Sequence, residues 1–303
     1  MKKKIIIAGG TGFVGKYLNK KFATAGYEVV IISRSKSHIS WDNTPLITEA
    51  LENAAILINL AGKSVDCRYN EKNKKEIFDS RIDTTKILGN AIINCTNPPP
   101  LWINSSTATI YRHAEDRPMA ESSGEIGAGF SVNVAINWEK AFFGFKLPQT
   151  RQVALRMAIV LGKNGGVIKP LLNLVRFRLG GKQGNGKQIF SWIHIEDLFC
   201  IITFVQQHNE LSGVINTCAP NPVSNKTFMQ LLRKNLGVGF GMPAPVWLLK
   251  MGAVVIKTET ELILKSRWVL PERLLASGFQ FKYPEIDTAL RQILSNGAQI
   301  SNQ

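Results

Sequence analysis

Short apolar runs rich in β-branched residues alternate along this chain with longer segments of helical periodicity. The first run, Lys4–Ala8, is predicted to be a strand, and Phe13–Thr24 is predicted to be the helix that follows it. Further strands are predicted at residues 28–33, 55–60, 101–105, 153–160 and 213–217. Strands that alternate with helices indicate parallel pairing, because each return to the same edge of a sheet needs a crossover. The pattern therefore predicts an α/β fold around a parallel sheet.

Glycine-rich punctuation between residues 165 and 186 interrupts this alternation, and helical patterns dominate after Pro222. We therefore predict a first domain over residues 1–220, with an excursion at about residues 163–190 that contributes to a substrate cleft, and a small, mostly helical domain over residues 221–303. The apolar stretch 242–256 is predicted to be a helix packed in that small domain, with a membrane surface as the alternative. No apolar run reaches the roughly 18 residues of a membrane-spanning helix.

The turn between the first strand and the first helix reads Gly-Gly-Thr-Gly-Phe-Val-Gly over residues 9–15. Its spaced glycines let the backbone approach a pyrophosphate, which binds at the amino end of the helix. This strand–turn–helix context is typical of a Rossmann-type, doubly wound parallel sheet that binds a dinucleotide. The cofactor contacts predicted in this turn are Gly9, Thr11, Gly12, Phe13, Val14 and Gly15.

The end of the second strand, Ser33-Arg34-Ser35-Lys36, carries no acidic residue. Sites that prefer NAD(H) usually place an acid there to bind the ribose hydroxyls, whereas an arginine can pair with the 2′-phosphate of NADP(H). We therefore predict that NADP(H) is preferred over NAD(H), with contacts from Ser33 and Arg34. A solvated arginine on a loop is the alternative.

Several motifs together carry a resemblance to a known family. The glycine turn, Asn-Leu-Ala-Gly at 59–62 and Ser-Ser-Thr-Ala-Thr-Ile-Tyr at 105–111 resemble the extended short-chain dehydrogenase/reductases. Trp138-Glu139, the segment 191–198 and the tail from Asn216 are similar to an atypical, epimerase/dehydratase-like branch that ends in a domain of unknown function. The resemblance covers essentially the whole chain. It implies a Rossmann fold with a small C-terminal domain, and cofactor contacts from Leu60, Ala61 and Gly62.

The chain departs from this family at its catalytic positions. Enzymes of the wider family use a Ser or Thr together with a Tyr and a Lys four residues later, and the pair serves as general acid or base. The resemblance puts Thr107 at the Ser/Thr position, but it puts Ser131 and Ala135 where the Tyr and the Lys belong. Neither the serine nor the alanine can serve as that acid or base. The atypical branch that the chain resembles also lacks the Tyr–Lys pair.

Other residues are candidates to supply the missing acid or base. Tyr111 lies four residues after Thr107, although the resemblance implies a packing role beside the nicotinamide. His194 stands within a motif, whereas the other histidines lie in loops or at a helix end; a structural role is its alternative. No metal-ligand constellation is apparent.

Basic residues are the candidate ligands of an anionic substrate. Arg81 stands where the family usually has an asparagine, and Arg156 follows a strand towards its carboxyl end, where an ion pair with Glu139 is the alternative. Lys187 lies in the glycine-rich segment 180–188, which is predicted either to close over a ligand or to form a plain mobile hairpin.

Charge and cysteine content bound the partners. The formal net charge is +15, and residues 140–195 contain Lys and Arg but no Asp or Glu. A phosphate-bearing small molecule and a generally basic background both explain that gap, whereas no aromatic–basic motif supports nucleic acid. Four cysteines without a C-x-x-C pair fit a reducing, cytoplasmic location, and the family's helix pairs imply a possible homodimer.

Two functions follow from these residues. The first is an NADP(H)-binding, epimerase/dehydratase-like oxidoreductase that acts on a small, anionic substrate, which can be nucleotide-linked, without the usual Tyr–Lys pair. The alternative is a non-catalytic NADP(H)-binding protein with a regulatory or redox-sensing role, which explains the missing pair without a substitute.

Overall fold

The computed structural model describes residues 2–163, 165–247, 249 and 264–295. Within these residues, six parallel strands form the main sheet in the order β2-β1-β3-β4-β5-β9. The strands are β1 Lys4–Ala8, β2 Glu28–Ile32, β3 Ala54–Asn59, β4 Leu101–Thr107, β5 Arg151–Met157 and β9 Gly213–Thr217. The strand order reverses direction at β1, as in a doubly wound sheet, so the predicted Rossmann-type fold is confirmed.

Helices cover both faces of this sheet. Leu18 and Phe22 of helix α1 pack on one face together with apolar residues of α6, and the core of the other face includes buried residues of α2, α3 and α4. These helices are α1 Phe13–Thr24, α2 Thr44–Leu51, α3 Glu71–Ile93, α4 Phe130–Phe143 and α6 Ile195–Gln207. Because both faces are buried, the central strands carry continuous apolar runs such as Ile5-Ile6-Ile7, each fully buried.

A second core lies beyond the carboxyl-terminal part of the sheet. Trp192, Phe228 and Leu290 are among its buried residues. It is built from helices α5 Ile168–Arg176, α7 Asn225–Asn235 and α9 Ile286–Ser295 and from two short strand pairs, β6 Ile159–Leu161 with β8 Trp192–His194 and β7 Ile189–Phe190 with β10 Val223–Ser224. The predicted small, helical C-terminal region is therefore present, and part of the 163–190 excursion packs with it.

The packing does not divide the chain at a single point after residue 220. Helix α8, Glu272–Ala276, contributes Leu274 to the core of the main sheet, and Arg273 Nη1 donates to the carbonyl oxygens of Ser212 and Val214, both at 2.6 Å. Residues 264–281 thus return to the first domain before α9 begins. The composition of the sequence alone does not reveal this return. The domain boundary predicted from the sequence stays a prediction.

One predicted strand differs from the structure, and one predicted helix cannot be compared with it. The apolar run 153–160 divides into β5 and β6, because Ala158 N donates to Thr217 O and the chain then leaves the main sheet to pair with β8. The helix predicted over 242–256 lies largely outside the described residues.

Asp197, in the first turn of α6, holds the chain that leads into α9. Its carboxylate is fully buried and accepts hydrogen bonds from Lys282 N at 2.8 Å and Tyr283 N at 3.0 Å. We expect Asp197→Ala to lower the free energy of unfolding by about 3 kcal/mol, because two partly buried backbone N–H groups lose their acceptor. Urea unfolding measures this loss. Asp79→Ala, which removes an exposed i,i+4 pair with Lys75, serves as the control, and an equal loss in both variants would contradict the assignment.

Candidate active site

The glycine turn between β1 and α1 packs so closely against neighbouring backbone that two of its positions require glycine. Gly9 has φ +77°, and a Cβ at this position would lie 2.7 Å from Ala61 Cα. A Cβ at Gly15 would lie 2.5 Å from Gly10 Cα, so neither glycine tolerates a side chain. Gly12 is the N-cap of α1 and makes no side-chain cap. The amide groups of the first helical turn are therefore left for an anion, which fits a dinucleotide pyrophosphate.

The end of β2 keeps the residues that were predicted to select the cofactor. Arg34 is exposed, whereas Ser33 is buried. The Oγ atom of Ser33 accepts a hydrogen bond from Ser35 N at 3.0 Å. Ser33 Oγ also lies 2.9 Å from Nδ1 of His38. These hydrogen bonds fix the turn that displays Arg34, so the guanidinium lies beside the turn without being buried by it.

One pocket of about 190 Å³ lies at the carboxyl ends of β3 and β4. It brings together Leu60, Ala61 and Gly62, predicted as cofactor contacts, with Thr107 and Arg81, predicted as catalytic and substrate residues. Its remaining lining residues are Val65, Tyr69, Ile77, Ser105, Ser106, Thr109, Phe130, Ser131, Val134, Ala135 and Trp138. None of these lining residues is acidic.

Arg81 of α3 provides a positive charge in the pocket wall. Its Nη1 donates to Ile77 O at 2.9 Å and to Lys63 O at 3.1 Å, and its guanidinium lies 5.1 Å from the centre of the Trp138 ring. Within the part of the chain that the structure describes, no carboxylate pairs with it. Burial lowers the pKa of Arg81 to about 10, so it stays charged at neutral pH.

Arg81 can lie close to the segment that follows β3 because residue 62 is a glycine. A Cβ at Gly62 would lie 3.0 Å from Cζ of Arg81. The absence of a side chain at residue 62 therefore lets the guanidinium pack directly beneath the segment that follows β3. In this way the charge of α3 reaches the same pocket edge as Leu60 and Ala61.

Thr107 ends β4 and is half-buried in the pocket wall. Its Oγ1 accepts from Thr109 N at 3.1 Å, which fixes the side chain at the start of a short 3₁₀ turn. The hydroxyl hydrogen is not used by that bond, so it can be donated to a ligand oxygen. Ser131 and Ala135, the residues that the family resemblance places at the Tyr and Lys positions, both line the pocket from α4.

Known proteins similar to this chain share its whole length. The sequence profile of the NAD dependent epimerase/dehydratase family matches residues 5–128, and a domain of unknown function (DUF1731) matches residues 244–293. Human epimerase family protein SDR39U1 is 34% identical over 299 residues, which cover 96% of this chain and 100% of the human protein. Epimerase family protein YfhF of Bacillus subtilis is 31% identical, and the match covers 96% of this chain and 98% of the Bacillus protein. The chain belongs to this epimerase family.

The crystal structure of human SDR39U1 with NADPH agrees with the fold of the chain. Its TM-score is 0.88 at 34% identity, and the match covers 97% of this chain and 99% of the human one. The human protein contains NADPH; for the present epimerase-family protein the glycine turn described above provides an independent fit to such a cofactor.

Tyr111 and Arg156 of this epimerase-family protein lie together next to the pocket, but neither lines it. Arg156 pairs with Glu139 through both carboxylate oxygens, at 2.9 and 2.7 Å. It also donates to the Tyr111 hydroxyl, which in turn donates to Oδ1 of Asn216, both at 2.9 Å. Burial opposes the charge of Arg156, but its bonds to Glu139 outweigh burial and raise its pKa. Arg156 thus occupies the ion pair that the sequence left open as the alternative.

His194 ends β8, and its ring packs against Tyr283 beside the second core, with the ring centres 4.0 Å apart. It is the N-cap of α6: its Nδ1 accepts from Glu196 N at 3.1 Å, and its Nε2 lies 3.0 Å from Oε1 of Gln292. Both ring nitrogens are thereby engaged in structural contacts, and His194 does not line the pocket. These contacts correspond to the structural role that the sequence left open as the alternative to a catalytic role for His194.

The glycine-rich segment 180–188 is tied to the small domain. Gln183 N donates to Oδ1 of Asn225 at 2.9 Å, and Gly184 N donates to Ala244 O at 2.8 Å. Lys187 is exposed and is absent from the pocket lining. The segment therefore packs as part of the second core, and the role predicted for Lys187 stays a prediction without support from its position.

Sequence reasoning missed three aromatic residues of the pocket. The rings of Tyr69 and Phe130 meet edge-on with their centres 5.0 Å apart, and Trp138 Nε1 donates to Oγ1 of Thr85 at 3.0 Å. Trp138 lay in a recognised motif, but neither Tyr69 nor Phe130 stands in a periodic pattern. Tyr69 comes from the loop before α3 and Phe130 from the start of α4, so only tertiary packing brings them together.

Other kinds of site can be checked against the same residues. Among those described, no group of three His, Cys, Asp or Glu is placed to hold a metal ion. In the same part of the chain, no helix combines the length and the hydropathy of a membrane-spanning segment. All four cysteines are free.

His194 predicts a dependence of stability on pH. Burial lowers the pKa of His194 to about 4, so the unfolded chain, with an ordinary value near 6.5, binds the proton more tightly. Stability is therefore lost as the pH falls from about 6.5 towards 4, by about 2 kcal/mol at pH 5. We expect His194→Asn, which keeps an N-cap acceptor, to reduce that loss in urea unfolding at pH 7 and pH 5. His208→Asn, at a half-buried histidine beside the exposed Glu210, is the control, and a similar change there would contradict the assignment.

Proposed function

We propose that this protein is an NADP(H)-dependent oxidoreductase or epimerase that acts on a small anionic substrate. The observation that carries the proposal is the position of Arg81. This half-buried guanidinium has no carboxylate partner among the described residues and lines the same pocket as Thr107 and the segment after β3. A charge kept in a wall without a counter-charge is costly, and an anionic ligand can offset that cost.

The residues for the cofactor support the first half of the proposal. The glycine turn and the first turn of α1 would hold the pyrophosphate, the turn with Ser33 and Arg34 would hold the 2′-phosphate, and Leu60, Ala61 and Gly62 would line the nicotinamide end. NADPH, when bound, exchanges a hydride at its nicotinamide ring. The NADPH found in the human relative favours the phosphorylated cofactor.

The pocket residues would act on the substrate by binding and by hydrogen bonding. Thr107 would donate its hydroxyl hydrogen to the reacting carbonyl or hydroxyl oxygen, and Arg81 would hold the anionic group at a fixed distance from it. Tyr69 and Arg81 are the titratable side chains of the lining, and neither belongs to the family's Tyr–Lys pair. Turnover is expected to be slow, because proton transfer lacks that pair.

One observation favours a second candidate, a non-catalytic NADP(H)-binding protein with a regulatory or redox-sensing role. Ala135 is fully buried at the place of the family's Lys, and its methyl group cannot contribute to proton transfer. On this reading the pocket binds a ligand without converting it.

The possible homodimer and the cytoplasmic location also stay predictions.

Arg34→Ala tests the choice of cofactor. We expect NADPH to bind at least tenfold more weakly and NADH to change less than twofold, because only NADPH offers the 2′-phosphate to the guanidinium. Fluorescence titration of the two cofactors measures both constants. Lys20→Ala, which removes an exposed charge from α1, is the matched control. Equal losses for NADPH and NADH would remove the assignment of Arg34.

Thr107→Val tests the choice between the two functions. If the wild type oxidises NADPH with any small carbonyl compound, measured as loss of absorbance at 340 nm, we expect the variant to lose at least tenfold in kcat with NADPH affinity unchanged. An unchanged kcat would rule out the role of Thr107. A wild type that binds NADPH but turns over no member of a carbonyl panel would favour the regulatory candidate.

A further inference from the structure

We infer that an exposed apolar rim at the surface of the second core docks this protein on an anionic membrane surface. The rim comprises six exposed side chains: Phe177, Leu179, Phe240, Met242, Val246 and Trp247. None of them lines the pocket of Arg81 and Thr107, so docking is independent of the proposed function.

Hydrogen bonds hold the rim together from two segments of the chain. The first segment continues from the end of α5, and the second follows α7. Met242 N donates to Arg178 O at 2.7 Å. Two residues further along, Ala244 N donates to Lys182 O at 2.9 Å. The two segments are therefore fixed side by side, and their exposed apolar side chains belong to one stretch of surface.

The rim exposes large aromatic side chains to solvent. Phe177 is 76% exposed and Trp247 is 63% exposed. A cluster of exposed apolar side chains marks a site that binds a protein or a membrane, because contact of such surface with water is unfavourable. The apolar stretch 242–256, for which the sequence left a membrane surface as the alternative, begins within the rim. Side chains of this kind insert at the boundary between head groups and acyl chains without crossing the bilayer.

The charge around the rim favours an anionic partner. Arg176, Arg178 and Lys182 are exposed on the first segment. The sequence has no Asp or Glu at residues 140–195 or 211–258, and these two ranges include both segments. Neither segment therefore brings a carboxylate to offset the cations. Cations held near a bilayer surface are attracted to anionic lipid head groups, and each one adds to the affinity.

Arg178 has a backbone conformation that favours glycine. Its φ is +59°, and its N–H group donates to Val175 O at 2.9 Å. The next amide, Leu179 N, donates to Leu174 O at 2.9 Å. This pair of hydrogen bonds is typical of a helix end that is closed by glycine, which has no Cβ to strain the left-handed conformation. Arg178→Gly therefore removes a charge from the rim without straining the end of α5.

A second copy of the chain and nucleic acid fit the rim less well than lipid does. In a symmetric dimer through this surface, the cations of one copy would face those of the other, which is unfavourable. Nucleic acid would pair with the cations, but its bases bind by stacking on aromatic rings, and Leu179, Met242 and Val246 cannot provide such stacking. The acyl boundary of a bilayer accepts aliphatic and aromatic side chains alike.

Sedimentation of the full chain with lipid vesicles tests the docking. Vesicles of phosphatidylcholine are compared with vesicles of equal parts phosphatidylcholine and phosphatidylglycerol. We expect at least tenfold tighter binding to the anionic vesicles, because several cations approach their surface. Trp247→Ser and Phe177→Ser are each expected to weaken this binding at least fivefold. Leu275→Ser, at an exposed leucine of α8 outside the rim, is the matched control and is expected to bind as the wild type does.

Arg178→Gly tests the contribution of charge separately from folding. We expect it to weaken binding to anionic vesicles about fivefold, while the melting temperature stays equal or rises. Lys20→Gln, which removes an exposed cation from α1, is the control for net charge and is expected to change binding less than twofold. Equal losses in these two variants would show that net charge, rather than the rim, attracts the protein to the vesicles.

Four further outcomes would overturn the docking. Equal binding to both kinds of vesicle, or no binding to either, would show that the rim does not select an anionic bilayer. A loss in Leu275→Ser as large as in Trp247→Ser would remove the assignment to the rim. A wild-type dimer that Trp247→Ser dissociates would assign the rim to a second copy, and binding of a DNA duplex that the same variant loses would assign it to nucleic acid. NADPH titration of each variant is expected to give the wild-type affinity, since the rim lies outside the predicted cofactor contacts.

Discussion

The ion pair between Glu139 and Arg156 determines the geometry around the candidate site. Glu139 lies on α4 and Arg156 on β5, and Ser106 at the end of β4 donates to the same carboxylate at 2.6 Å. One buried carboxylate thus joins a helix to two neighbouring strands at their carboxyl ends. Removal of either partner would leave an uncompensated buried charge, which costs about 3–5 kcal/mol. The pocket lies next to this junction, since Ser106 and Trp138, which precedes Glu139, both line it.

The same junction holds α4, the helix on which the family resemblance predicts that the catalytic pair is missing. In this chain Ser131 and Ala135 form part of the wall, and the helix is held by Glu139 and by the hydrogen bond from Trp138 to Thr85. The positive charge of the pocket comes instead from α3, where Arg81 passes close to Gly62. Structural support and charge are therefore provided by different helices, which leaves the pocket defined even though α4 contributes no titratable side chain to the described lining.

The sequence predicted those parts of the molecule that depend on local pattern. The glycine turn, the bounds of β1 and α1 and the parallel sheet follow from periodicity and from the need for glycine at close approach. Arg81 and Thr107 were predicted because each stands in a recognisable motif, and both line the pocket, although their roles stay predictions. Tyr69 and Phe130 could not be found in this way, because they lie in loops and meet only through packing. For Arg156 and His194, sequence could not separate a ligand role from a structural one, since the deciding partners, Glu139 and Gln292, lie 17 and 98 positions away.

The two candidate functions make different demands on Arg81. A catalyst needs the guanidinium to hold a substrate at a fixed distance from Thr107, so that the energy of binding lowers the barrier of the reaction. A sensor needs only that a ligand changes the stability or shape of the protein when it binds. In both cases the ligand brings the counter-charge that the described part of the protein does not supply. The cation is therefore more informative about the chemistry of the ligand than about whether the ligand is converted. The predicted absence of the acid–base pair bears only on whether the ligand is converted.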